Sequence, residues 1–218
     1  MNTEHAVQRI GEEGIVPVVR AAAIDDARRA IDAIHAGGIS IIEVTLTVPN
    51  ATEVIYEVAR QYGSKIFVGA GTVTTSAEAE KCIGAGARFL VSPGLSLGVI
   101  RTAKKARVLC IPGAMTPTEL MAAREAGAQL VKIFPCGNLG GPIYIKALRG
   151  PFPEMKMIPT GGVKLSNAAE YIEAGAFALG VGGDLVDAAA LRAGNAKKIT
   201  ETAHALADTI RRCRAAAN

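Results

Sequence analysis

Short apolar runs alternate with longer segments of helical periodicity along the whole chain of 218 residues. The runs lack a regular polar alternation, which is typical of parallel strands that are buried on both faces. They predict eight strands, at residues 16–19, 41–44, 66–69, 89–91, 108–111, 130–133, 157–159 and 178–181. Strands that alternate with helices in this way indicate an α/β protein.

Several of the intervening helices carry recognisable start signals. Thr75 and Thr116 are each followed three residues later by a glutamate, a spacing that predicts a capping box, and the second helix has a proline at its first position. Asn50, with a glutamate at the same distance, is a looser version of the signal. Residues 3–12 predict an extra helix before the first strand, which would cover the bottom of a barrel.

A repeated sequence feature supports the count of eight strands. An Ala-Gly pair closes a helix at Ala36, Ala85, Ala126 and Ala174, with spacings of 49, 41 and 48 residues. Each spacing holds two strand–helix units, so the repeats favour a single (β/α)8 TIM barrel over residues 1–218 with an extra N-terminal helix. A glycine at each helix end is also ordinary capping. An open doubly wound sheet is the alternative, but no GxGxxG follows the first strand.

Composition excludes several other classes of protein. The net charge of +4 is spread along the chain without a run of Lys or Arg, so we expect no nucleic-acid partner. The four cysteines form no CxxC pair, which argues against a zinc site and a disulfide framework. We find no apolar signal region at the N-terminus and no stretch as long as a membrane span. A cytoplasmic protein without a membrane partner is expected.

Barrel active sites lie at the carboxyl ends of the strands, and Lys132 gives the strongest signal there. It lies in the apolar run 130–134, where burial favours the neutral amine that attacks a carbonyl carbon. Two structural alternatives remain open: the lysine reaches solvent at the strand end, or it only pairs with Glu43. Glu43 lies in another apolar run, on the inward side of its strand, and is a candidate for proton transfer or for a simple counter-ion.

Other strand ends carry candidate binding groups. Arg20 follows the first strand, where it could hold a carboxylate or phosphate or form a rim salt bridge with Asp25 or Asp26. Glycine-rich loops follow the last two strands, at 160–163 and 180–183, and barrels often bind a phosphate there on backbone N–H groups. Ordinary glycine turns are the alternative.

A set of motifs runs in order along almost the whole chain: IEVTLTVPNA at 42–51, VGAGTV at 68–73, VSPG at 91–94, IPG at 111–113, TPTE at 116–119, VKIFP at 131–135, YIKAL at 144–148 and IPTGGV at 158–163. With these motifs the chain resembles the 2-keto-3-deoxy-6-phosphogluconate (KDPG) and 4-hydroxy-2-oxoglutarate aldolases. The resemblance implies a (β/α)8 fold, a class I aldolase that needs no metal or other cofactor, and a homotrimer.

The resemblance also implies a role for each matching residue. Lys132 corresponds to the Schiff-base lysine and Glu43 to the general acid and base. Thr72 would hold the pyruvate carboxylate, Pro93 and Phe134 would line the pocket, and Gly161, Gly162, Gly182 and Gly183 would hold the phosphate. Thr160 matches the threonine that selects C4 stereochemistry in gluconate-type members, whereas galactonate-type relatives tend to have an apolar residue there.

Two positions depart from the family pattern. Some members have an arginine four residues after the glutamate, on the substrate carboxylate, where this chain has Thr47; Arg20 is a possible substitute. The last loop often carries a serine, where this chain has Gly183 followed by Asp184. The missing hydroxyl and the neighbouring acid argue against tight phosphate binding.

The predicted reaction is cleavage of KDPG to pyruvate and glyceraldehyde 3-phosphate, with 4-hydroxy-2-oxoglutarate as a possible second keto acid substrate. The alternatives are a galactonate-type aldolase and a catalytically silent phosphate-binding or assembly barrel. A metal-dependent phosphosugar epimerase or decarboxylase would need acidic or His ligands at several strand ends, and beyond Glu43 we find none.

Overall fold

The computed structural model describes residues 2–217, and each of the eight predicted strands is present within two residues of its expected bounds. The strands are β1 Ile15–Val19, β2 Ile41–Thr45, β3 Phe67–Gly71, β4 Phe89–Val91, β5 Leu109–Ile111, β6 Gly113–Ala114, β7 Leu130–Ile133, β8 Lys156–Pro159 and β9 Leu179–Val181. The helices are α1 Thr3–Glu13, α2 Ile24–Ala36, α3 Ala51–Tyr62, α4 Ser76–Gly84, α5 Leu97–Ala106, α6 Pro117–Glu125, α7 Pro142–Arg149, α8 Ala168–Glu173, α9 Ala188–Arg192 and α10 Ala196–Ala217. Two 3-10 turns, Cys136–Leu139 and Leu165–Asn167, complete the elements.

All the strand pairs are parallel, which confirms the α/β class. One sheet has the order β5-β4-β3-β2-β1-β9, and a second has the order β6-β7-β8. A single parallel bridge between Thr160 and Gly180 connects the end of β8 to β9. Between every two strands that pair in sequence order lies at least one helix, as parallel connections require.

The fifth predicted strand is followed by a short strand that the sequence did not predict, β6, and Pro112 divides the two. Proline has no backbone N–H, so it cannot donate to a neighbouring strand. Its carbonyl still accepts a hydrogen bond of 2.9 Å from the backbone N–H of Lys132. The division therefore separates β5 from β6 in hydrogen bonding while β6 remains paired with β7.

The two faces of the strands are covered by different partners, as their apolar composition predicts. One face packs against the surrounding helices in a large buried cluster. On the other face, side chains from both sheets meet one another and the apolar side of α1, in a cluster that includes Ile10, Ile41, Phe67, Phe89 and Leu130. The helix predicted at 3–12 is present as α1, Thr3–Glu13, and Gly14, which follows its last residue, has a left-handed φ of 74°.

Local capping signals were accurate in two places and wrong in one. Thr75 and Thr116 both form complete capping boxes with their glutamates. Asn50 does not: its backbone is left-handed, at φ 49° and ψ 39°, and its side chain makes no capping hydrogen bond to the helix backbone. An N-cap requires an extended backbone, which Asn50 lacks, and asparagine tolerates the left-handed region better than most residues.

No helix within residues 2–217 combines the length and the hydropathy that a membrane-spanning segment requires.

Candidate active site

A cavity of about 570 Å³ opens at the carboxyl ends of the strands and brings together all but one of the predicted site residues. Its lining residues are Val18, Arg20, Thr72, Pro93, Lys132, Phe134, Thr160, Gly161, Gly162, Val163, Lys164, Gly182, Gly183 and Asp184. A larger depression of about 690 Å³ lies at the opposite ends of the strands, beside α1 and α10. The first cavity is distinguished by its residues and not by its size, because of these two cavities only the first is lined by the buried Lys132.

Lys132 lies on β7 with only 6% of its surface exposed, at the inner wall of this cavity. Its Nζ is 3.9 Å from Oε1 of Glu43 and 5.2 Å from the centre of the Phe134 ring. The alternative of a lysine that extends into solvent is therefore wrong. A buried ammonium is costly unless it is paired, and both neighbours reduce that cost. The amine remains accessible from the cavity, as a nucleophile requires.

Glu43, on β2, is the predicted residue that does not line the cavity; it lies beside Lys132 with 2% of its surface exposed. Burial raises the pKa of the Glu43 carboxyl above its ordinary value, and the positive charges of Lys132 and Arg20 oppose this shift. Among the described residues, its Oε1 has no hydrogen-bond partner. A buried acceptor without a partner is uncommon in folded proteins, and a carboxyl with a raised pKa can both take up and release a proton.

Arg20 projects from the end of β1 and is held by a neutral partner rather than by an acid. Its Nη1 donates a hydrogen bond of 3.0 Å to Oγ1 of Thr47, the position where some relatives have arginine. The predicted rim salt bridge is not formed, because Asp25 and Asp26 pair with arginines three residues further along α2. The positive charge of Arg20 is therefore available to an anion in the cavity.

Thr72 follows β3 in a backbone conformation that is unusual for its residue type. Its φ of 61° lies in the left-handed region, which costs a residue with a Cβ roughly 1–2 kcal/mol. Its hydroxyl forms no hydrogen bond with another residue of the 2–217 segment. Strained residues with unused polar groups are concentrated at ligand sites. Thr72 thus offers a free hydroxyl to the cavity, next to the wall formed by Pro93.

The far end of the cavity is formed by the loops after β8 and β9. Gly161 and Gly162 both have φ of 83°, a conformation that glycine adopts without strain. Thr160, which precedes these glycines and is largely buried, also lines the cavity. In the opposite loop, Asp184 accepts a hydrogen bond of 3.0 Å from the backbone N–H of Leu165. One backbone donor at this end is therefore already satisfied by a carboxylate.

Comparison with known proteins places this geometry in a family. Residues 7–202 match the family model described as KDPG and KHG aldolase. The chain belongs to this aldolase family.

Named relatives cover most of the aldolase chain. The 2-dehydro-3-deoxy-phosphogluconate aldolase of Treponema pallidum is 37% identical over 187 residues, which is 85% of this chain and 88% of that protein. The 2-dehydro-3-deoxy-6-phosphogalactonate aldolase of Escherichia coli is 34% identical over 78% of this chain and 83% of its own. A KDPG aldolase from Legionella pneumophila, solved with pyruvate as a covalent carbinolamine, superposes with a TM-score of 0.85 at 32% identity, over 92% of this chain and 97% of that one.

The aldolase site contains residues that sequence reasoning missed. Lys164 lines the far end of the cavity with an exposed side chain, and Val18 and Val163 add apolar wall. The position of Lys164, directly after the loop that carries Gly161 and Gly162, was a signal that could have identified it. Within residues 2–217 of the aldolase, no three His, Cys, Asp or Glu side chains are grouped as metal ligands would be.

Proposed function

We propose that this aldolase cleaves 2-keto-3-deoxy-6-phosphogluconate reversibly into pyruvate and glyceraldehyde 3-phosphate, through a Schiff base on Lys132. The observation that carries the proposal is the buried pair of Lys132 and Glu43, whose Nζ and Oε1 are 3.9 Å apart beside a cavity that opens to solvent. Catalytic groups in parallel α/β proteins are found at the carboxyl ends of the strands, and a buried titratable pair beside a cavity there is a candidate for catalysis.

In the proposed mechanism, the neutral Nζ of Lys132 attacks the C2 carbonyl carbon of the keto acid. The resulting carbinolamine loses water to give a protonated imine, which serves as an electron sink. Glu43 removes the proton of the C4 hydroxyl, the C3–C4 bond breaks, and its electron pair forms an enamine as the aldehyde leaves. Glu43 then returns a proton to C3, and water releases pyruvate from the imine.

The same proposal assigns the binding groups along the cavity. Arg20 and Thr72 bind the substrate carboxylate, the first by charge and the second by its free hydroxyl. Pro93 and Phe134 enclose the pyruvyl part, and Thr160 lies where the C4 hydroxyl would be. The second anionic group lies between the glycine loops, where Lys164 supplies a positive charge; these loops contain Gly161, Gly162, Gly182 and Gly183. The short carboxylate of 4-hydroxy-2-oxoglutarate could occupy part of the same space.

The proposed enzyme is a single domain in which the two sheets close into one (β/α)8 barrel with α1 across its bottom. The bridge from Thr160 to Gly180 and the hydrogen bond from Lys132 to Pro112 support closure at the two gaps between the sheets. A homotrimer is part of the proposal. Ile143 is 80% exposed on α7, and its neighbour Tyr144 donates a hydrogen bond to the carbonyl of the exposed Met115. Light scattering of wild type and Ile143→Glu tests this assembly, which the variant should dissociate.

Borohydride reduction in the presence of pyruvate tests the central claim. Only an imine between an amine and a keto acid is reduced to a stable adduct, so peptide mapping should locate the adduct on Lys132. Omission of pyruvate is the control and should leave the lysine unmodified. An adduct on Lys146 or Lys164, or none at all, would contradict the mechanism. Parallel cleavage assays with the gluconate, galactonate and hydroxy-oxoglutarate substrates identify the preferred one.

A further inference from the structure

Gly71, at the end of β3, lies directly beneath the carboxyl group of Glu43. A Cβ atom built on Gly71 would be 2.5 Å from Cδ and 2.6 Å from Cγ of Glu43, and closer still to Oε1. Real Cβ atoms almost never approach a heavy atom within 3.0 Å. The Glu43 side chain therefore occupies the volume that any other residue at position 71 would fill.

The contact follows from the register of β2 and β3. Glu43 pairs with Gly69 and Thr45 pairs with Gly71, so the glutamate side chain leans along its strand over the glycine two positions further on. Gly69 shows the same arrangement, because its Cβ would be 2.5 Å from the Phe89 ring. Gly69 and Gly71, at alternate positions of β3, thus leave space for the side chains of Phe89 and Glu43.

The backbone gives no separate reason for glycine at position 71. Its φ is not among the positive values, so alanine could adopt the same backbone conformation. The three heavy atoms nearest to the added Cβ all belong to Glu43. A substitution here therefore displaces one group above all, the carboxyl that lies 3.9 Å from Nζ of Lys132.

We infer that Gly71 is a positioning residue for Glu43. Because Gly71 has no side chain, the Glu43 carboxyl group can occupy the position from which it transfers a proton. The inference rests on the proposed function of Glu43 as acid and base. Displacement of a reacting group by about 1 Å can cost about 100-fold in rate. Attack of Lys132 on a keto acid does not require the carboxyl group in that position, so the two steps should respond differently to Gly71→Ala.

Exchange of the pyruvate methyl protons with deuterium, followed by NMR, requires imine formation and proton transfer, whereas borohydride labelling requires imine formation alone. Gly71→Ala should slow this exchange by about 100-fold, while borohydride with pyruvate still labels Lys132 to near completion. The control is Gly84→Ala, at the end of α4, because a Cβ there meets nothing within 4 Å and its exchange rate should equal that of wild type. Unchanged exchange in Gly71→Ala, or an equal loss of exchange and labelling, would overturn the inference.

A second comparison separates an effect on the position of the Glu43 carboxyl group from an effect on folding. In a Glu43→Gln background the proton-transfer group is already absent, so adding Gly71→Ala should lower exchange by less than about 3-fold. A further 100-fold loss would show that Gly71 acts on something other than Glu43. If Gly71→Ala alone fails to fold, Glu43→Ala with Gly71→Ala must fold with a normal melting curve. Failure of the double variant would place the clash elsewhere and refute the inference.

The proposed function fails separately from this inference. A wild-type protein that neither exchanges pyruvate protons nor forms an adduct on Lys132 would contradict the aldolase mechanism itself. A wild type that does both, with an equally active Gly71→Ala variant, would contradict only the role of Gly71.

Discussion

Replacing Thr72 by glycine should weaken substrate binding without the loss of stability that removing a side chain usually causes. Thr72 has φ of 61°, and the left-handed region costs a residue with a Cβ roughly 1–2 kcal/mol. Glycine removes this strain, but its greater conformational freedom in the unfolded state offsets roughly 0.5–1 kcal/mol of the gain. The net change in the free energy of unfolding should lie between zero and a gain of about 1.5 kcal/mol. For a chain of this size, 1 kcal/mol corresponds to about 2–4 °C in Tm.

The functional effect of Thr72→Gly should have the opposite direction. The hydroxyl forms no hydrogen bond with the described part of the protein, so its loss leaves no protein group unsatisfied. A hydrogen bond to a charged group contributes about 1.5–3 kcal/mol, which corresponds to a rise in the KM for pyruvate of about 10–150-fold. Thr72→Ser retains the hydroxyl and should retain most of the affinity.

Melting curves and steady-state kinetics together test this reasoning. Arg107→Gly is the matched control, because Arg107 has a similar φ of 56° at the end of α5, away from the cavity. It should raise or preserve Tm while leaving KM unchanged. The reasoning is wrong if Thr72→Gly lowers Tm by several degrees, or if its KM equals that of wild type.

Three further substitutions test the charged groups of the site. Arg20→Ala should raise the KM for pyruvate by about 10–150-fold with little change in Tm, since a charge-assisted bond to the carboxylate is lost; a lower Tm with unchanged KM would make Arg20 structural. Because the pKa of Glu43 is raised, the folded state binds the Glu43 proton more tightly than the unfolded state does. Protonation of Glu43 therefore stabilises the fold at low pH, and this stabilisation is lost as the pH rises through the folded-state pKa. Glu43→Gln should therefore have a higher Tm than wild type at pH 8, and this advantage should diminish toward pH 4; a pH-independent difference would contradict it. Lys164→Ala should raise the KM for the phosphorylated sugar acid by about 10-fold and leave that for pyruvate unchanged; equal effects on both would place Lys164 outside the phosphate end.

Glu43 and Lys132 could be selected from the sequence because each is a charged residue inside an apolar run. That signal is local: burial of such a run follows from its composition, and a buried charge needs a partner or a role. The eight strand positions and the two capping boxes were predictable for the same reason, since each depends on residues only a few positions apart. The left-handed Asn50 was missed because the same spacing of residues permits a different backbone conformation.

What the sequence by itself determined was therefore the order of strands and helices and the identity of the buried charged pair, Lys132 and Glu43. Only the tertiary structure decided that Arg20 binds Thr47 rather than an acid on α2, and that Lys164 reaches the same cavity as Lys132. It also decided that Gly71 leaves room for a carboxyl group on the neighbouring strand. Each of these arrangements brings together residues that are far apart in the chain, or depends on which of several nearby partners a long side chain contacts. They are fixed by strand register and packing between elements, for which no short segment carries a signal.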